Sequence, residues 1–89
     1  MNVPGDAADG AASVERSLDQ LVPGERAVIA RIACDPAIGR RLMELGLVPG
    51  TSVQMVRTAP LGDPLELSAR GVHLSVRRSE ARCIHVAPC

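Results

Sequence analysis

The chain reads as mainly β: a small antiparallel barrel of about five strands, with one short helix inserted after the first strand. Three observations carry that reading. Five short runs of alternating or β-branched residues lie between turn residues. The tetrapeptide LVPG occurs twice, as Leu21–Gly24 and Leu47–Gly50, each time just ahead of such a run. Between the first run and the second LVPG stands one stretch of helical periodicity, bounded sharply at both ends.

Residues 1–15 are small, acidic and rich in Ala, Gly and Asp, a composition that cannot bury enough surface to fold; they are expected to form a disordered tail ahead of one domain, residues 16–89. Ser17-Leu18-Asp19-Gln20 fits the S-x-x-Q capping box, so a single helical turn is expected there. Pro23-Gly24 reverses the chain, and Ala27–Ile32 then alternates as a strand, with Val28, Ala30 and Ile32 on one face.

Asp35 is placed as an N-cap acceptor, and Pro36 suits the first helical position, where its missing N–H costs nothing. Ile38, Leu42 and Leu45 follow at i, i+4 and i+7 as one apolar stripe, with Arg40, Arg41 and Glu44 on the wet side. Gly46 falls where a left-handed C′ residue ends a helix, and Leu47 is expected to fold back on Leu42. The remaining strands are Ser52–Thr58, Leu65–Ala69, Val72–Val76 and Cys83–Val86, with Arg70-Gly71 as a tight hairpin turn. Leu65, Leu67 and Ala69 share a face, as do Val72, Leu74 and Val76. Each LVPG is a turn that launches a strand: proline pre-sets φ at the second turn position and glycine supplies the positive φ of a type II turn. The flanks of the two copies do not match in sequence, so the repetition is expected to be shared turn chemistry and nothing more.

Composition narrows the function. With no Phe, Tyr or Trp and a formal net charge of zero, the chain lacks both the stacking platforms and the electrostatic pull of a nucleic-acid binder. Its ten basic residues are all arginine. No apolar run approaches the ~20 residues that span a bilayer, so direct membrane insertion is not expected. The N-terminal residues carry neither a basic nor an apolar segment, which points to a cytoplasmic location. Three widely spaced cysteines, Cys34, Cys83 and Cys89, make no C-x-x-C pair, and a disulfide framework is not expected in that compartment. Catalysis finds no support: Ser75 and Ser79 lie near His73 without an orienting acid, and phosphate-cradling glycine loops are absent.

Three motifs in a fixed order are more specific than any one of them. LMELGLVPG at Leu42–Gly50, APLGDPLEL at Ala59–Leu67 and VRRSEARCIHV at Val76–Val86 together resemble the FeoA family, over roughly Leu18 to Val86. The resemblance implies an SH3-like barrel, cytoplasmic and non-enzymatic, that accompanies the FeoB ferrous iron transporter and docks on its cytoplasmic GTPase region. It permits an alternative: a metal-responsive domain like the SH3-like domains of iron-dependent repressors, binding a transition metal directly. A helix-turn-helix for DNA has no room beside the single helix, which favours the first.

Candidate site residues follow from exposure and chemistry. Leu61, an apolar residue in the stiff Pro60–Pro64 loop, is a candidate docking anchor. Arg40 and Arg41, on the wet helix face, are candidates to meet an acidic partner surface. Cys83 and His85 are i and i+2 on one strand and are expected to point outward together, a pair that suits zinc, with Cys89, His73 or a second copy of the chain in a weak homodimer completing the ligands. No cofactor is required on this reading, and a divalent ion there, zinc or iron, is expected to be adventitious.

Overall fold

A computed structural model describes residues 15–89; the expected tail, but for Glu15, lies outside them. Six strands form one antiparallel sheet: β1 (Arg16–Ser17), β2 (Arg26–Ile32), β3 (Ser52–Thr58), β4 (Leu65–Ala69), β5 (Val72–Val76) and β6 (Ile84–Pro88), in the spatial order β1-β6-β2-β3-β4-β5. A 3-10 turn at Leu18–Gln20 follows β1, the helix α1 spans Pro36–Glu44, and a single helical turn, α2, spans Arg78–Ala81. The strand that sequence reading lacked is β1, whose two residues are too few to show a period; β6 fixes them by pairing Arg16 with Val86 and Ser17 with His85. The same reading overlooked α2, because four residues make one turn with no stripe to read.

The core is aliphatic throughout. Leu18, Ile29, Leu42, Leu47, Met55, Leu65, Leu67 and Ile84 are its largest members, all inaccessible to solvent or nearly so. Burying each such side chain is worth about 1.5–3 kcal/mol, and together they offset the absence of aromatic residues. Two faces differ from expectation. On β2 the inward residues are Ala27 and Ile29 rather than Val28 and Ala30, and a bulge between Ile29 and Arg31 then switches the phase, so that Ile32 also packs on the core. On β5 only Val76 is buried; Val72 is 55% exposed, because β5 runs out to the open edge of the sheet.

The helix ends as its sequence implies. Gly46 takes φ +92°, its N–H donates to the Met43 carbonyl (2.9 Å), and the Leu47 N–H donates to the Leu42 carbonyl (2.9 Å), the two bonds of a Schellman ending. Asp35 stands at the N-cap without a side-chain bond to the helix. Ser17 likewise makes no cap bond; its hydroxyl donates to Asp19 Oδ1 at 2.5 Å.

The two LVPG segments are type II turns, with φ +90° at Gly24 and +93° at Gly50, and they are interlocked. The Gly24 N–H donates to Met55 O (2.7 Å) and the Gly50 N–H to Ile29 O (2.8 Å); Met55 N–H donates to Glu25 O (2.9 Å) and Ile29 N–H to Thr51 O (2.9 Å). Each turn is thus closed by the strand that the other turn launches. The likeness extends well past four residues: β2 and β3 bury residues in the same order, and each bulges at the same distance from its LVPG, at Ile29/Arg31 and Met55/Arg57. The sequence expectation that the flanks do not correspond is corrected on this point. Ala27 and Val53, and likewise Ile29 and Met55, share a burial without sharing an identity.

Among the described residues no ladder joins β1 to β5. Side chains close that seam instead. Arg78 donates through Nε to Gly62 O (2.8 Å) in the β3–β4 loop and through a terminal nitrogen to Asp19 O (3.3 Å) in the 3-10 turn, while its backbone N–H donates to Asp63 Oδ1 (3.0 Å). The Asp63–Pro64 peptide in that loop is cis.

Candidate functional site

Among the described residues, the helix α1 and the second LVPG turn border a groove of about 490 Å³. Ile32 and Cys34, at the end of β2, form one wall. Pro36, Gly39 and Met43 line it from α1, and Leu47, Val48 and Pro49 close the far side. Gly39 leaves the helix flank low enough for Ile32 to approach, its hypothetical Cβ lying 4.0 Å from an Ile32 methyl. Arg40 is the one charged residue of this lining. Met43 remains 57% exposed, a large apolar side chain left at the mouth of the groove.

The two candidate arginines separate. Among the described residues Arg40 forms no salt bridge, so its guanidinium stands at the groove with its donors open. Arg41 is engaged in an ion pair with Glu80, whose side chain is almost wholly buried and also accepts the Arg77 N–H (3.2 Å) at the start of α2. It therefore holds α1 against α2, where the sequence predicts a charge on the wet helix face open to a partner. Leu61 is 97% exposed at the tip of its loop. That loop is pinned from behind by Arg78 and by the bond from Gly62 N–H to Ala59 O (2.7 Å), so the exposed leucine sits on a fixed base.

The cysteines correct two expectations. Cys34 and Cys83 are joined by a disulfide across 49 residues, their Cα atoms 5.1 Å apart. The β2–β6 ladder brings them together: Ile32 pairs with Ile84, and the Ala33 N–H donates to Cys83 O (2.8 Å). Spacing along the chain carried no sign of this, since the contact is made by sheet register. Cys83 also lies ahead of β6 rather than on it, so it does not project beside His85 as a strand residue would. His85 stands half-buried on β6 opposite Ser17 and Arg31, His73 is exposed on β5 opposite Ser68, and Cys89 is exposed with its sulfur 3.8 Å from Ser52 Oγ. The structure does not bring the four together, and among the described residues no three His, Cys, Asp or Glu side chains converge on one point.

One carboxylate has a shifted acidity. Glu25, just after the first turn, accepts the Val22 N–H (3.0 Å) and pairs with Arg16, and these hold its carboxyl below the usual glutamate value. It secures the turn and lies apart from the groove.

By fold and surface this is a small SH3-like barrel whose open feature is an apolar groove with one cationic side chain at its edge. Comparison with known proteins supplies the rest. The FeoA domain model matches residues 16–88, and the chain belongs to the FeoA family. It is 35% identical over 69 residues to an Fe(2+) transport protein A/Fe(2+) transporter FeoB fusion protein of Porphyromonas gingivalis, covering 78% of this chain but 8% of that relative. Among solved structures it resembles FeoA of Chlorobium tepidum, with 46% identity, a TM-score of 0.77, and coverage of 81% of this chain and 69% of the other. It also resembles FeoA of Stenotrophomonas maltophilia complexed with zinc, described as a prokaryotic SH3 domain protein, with 36% identity, a TM-score of 0.68 and coverage of 78% and 86%. A manganese-dependent transcriptional repressor superposes with a TM-score of 0.78 over 85% of this chain and 42% of its own; at 17% identity it shares the fold alone.

Proposed function

We propose that this chain is a non-enzymatic accessory protein of ferrous iron uptake, working in the cytoplasm and docking on the GTPase region of a FeoB-type transporter. The observation that carries the reading is the groove: apolar walls, the exposed Met43, and Arg40 with open donors beside them. Such a surface suits a partner segment that offers apolar anchors and an acidic residue. The Porphyromonas gingivalis relative, which carries transport protein A and FeoB in one chain, supports the choice of partner. Leu61, on its fixed loop, is assigned a second anchor in the same contact.

The test is a pull-down of the transporter's cytoplasmic domain, with and without guanine nucleotide, by the wild type, by Arg40→Glu and by Leu61→Ala. Each variant is expected to weaken capture by about tenfold or more, the loss typical of an interface anchor. Undiminished capture by both would exclude these surfaces. A second reading, direct binding of a transition metal, draws its support from the zinc complex of the Stenotrophomonas maltophilia protein; with Cys83 in the disulfide, it rests on His85, Cys89 or His73 and on ligands from a second copy of the chain. Zinc calorimetry on the wild type and on His85→Ala/Cys89→Ser separates the two, since equal heats would remove those two residues as ligands.

A further inference from the structure

We infer that Cys34 and Cys83 form a reversible dithiol–disulfide site, with Cys34 the sulfur that exchanges with low-molecular-weight thiols and disulfides. Three observations carry it. First, the two residues are held together by contacts that do not depend on the bond between them. Ile32 pairs with Ile84, the Ala33 N–H donates to Cys83 O (2.8 Å), and the Cys83 N–H donates to Glu80 O (3.2 Å), with Ala81 and Ile84 fully buried on either side. A reduced pair would therefore stay in reach of itself, and the chain would remain folded in both states.

Second, the reduced state has an acceptor waiting. The Glu80 carbonyl oxygen lies 3.1 Å from Cys83 Sγ and 3.8 Å from Cys34 Sγ. A disulfide has no S–H to offer that oxygen, whereas a thiol on either sulfur does. Third, the pair can be reached from solvent. Cys34 and Cys83 are both half-buried, and Cys34 also lines the groove, which gives a reagent a path to its sulfur.

The step balances as ordinary thiol–disulfide exchange. An external thiolate attacks Cys34 Sγ, forming a mixed disulfide there and expelling the Cys83 sulfur as thiolate, which takes a proton from solvent. A second external thiolate attacks the reagent's own sulfur and releases Cys34. Two external thiols become one disulfide, and the protein gains two electrons and two protons. The inference stands apart from what docks in the groove, although it places a redox-responsive wall beside that surface.

The test uses the full chain carrying Cys89→Ser, which removes the exposed third thiol. Samples equilibrated across reduced and oxidised glutathione are quenched with a maleimide and weighed by mass spectrometry. The expected result is one transition from no labelled cysteine to two, with cooperative thermal unfolding retained at both ends. Peptide mapping of the transient glutathione adduct on the same protein is expected to favour Cys34 over Cys83 by about tenfold, from access alone. Repeating the labelling on Cys83→Ser and Cys34→Ser gives the same ranking independently. Thiols that stay unpaired in oxidised glutathione, a disulfide reduced only in denaturant, or an adduct that favours Cys83 would each overturn the proposal.

Discussion

Gly46 shows how one backbone angle ends a helix. At φ +92° a side chain suffers from its own backbone, since nothing else lies within 4 Å of the position a Cβ would take. Gly46→Val is therefore expected to cost more than about 1 kcal/mol, entirely as conformational strain, and urea denaturation will show it as a lower midpoint at unchanged slope. Glu25 makes a different kind of contribution. Its folded-state pKa is held below the usual value of 4.5 by the Val22 N–H and then by Arg16. The stability it supplies is thus present at neutral pH and is lost as pH falls through the depressed folded value. Thermal melts of the wild type and Glu25→Gln should differ at pH 7 and converge once the pH falls below the depressed folded value.

The helix face was read in sequence as two equivalent arginines, and the structure gives them opposite roles. Arg41 meets a carboxylate on α2, an element whose four residues show no periodicity, so its partner was invisible along the chain. Removing it leaves Glu80 buried with only the Arg77 N–H for company. Arg41→Ala is expected to cost about 1–2 kcal/mol, less than a fully buried pair because the arginine is half-exposed, while Arg40→Ala stays within about 0.5 kcal/mol. Equal costs by denaturant titration would contradict this division. Local signals otherwise served well: Pro36, Gly46, the two Pro-Gly turns and Arg70-Gly71 each mark what the chain does at that point. Leu61 was likewise legible, since two prolines and a glycine set it at a loop tip. What could not be read is whatever depends on register. The Cys34–Cys83 bond and the two bulges arise only when β2 is laid against β6 and β3 against β4, and the groove only when α1 and the second LVPG turn pack beside the end of β2.

Among the described residues the sheet is open between β1 and β5, and Arg78 is the side chain that ties the elements on either side of that seam together. Arg78 reaches both the 3-10 turn and the β3–β4 loop. Arg78→Ala is expected to cost about 1–3 kcal/mol through the carbonyls it leaves unpaired, and to open the Pro60–Pro64 loop to proteolysis. A variant as stable and as protease-resistant as the wild type would mean that the seam is held by the core alone.

The interlocked turns bear on how the molecule breathes. The amides of Gly24, Ile29, Gly50 and Met55 are each tied to a residue 21 to 31 positions away, by bonds that alternate between the two halves. None of the four can reach solvent by fraying a single turn, because releasing one requires the opposite strand to leave as well. In a native-state hydrogen-exchange experiment they should behave as one unit, sharing a single opening free energy close to that of global unfolding. The helix and its groove are suspended between the two turns, so the surface offered to a partner is carried on the slowest-exchanging part of the chain.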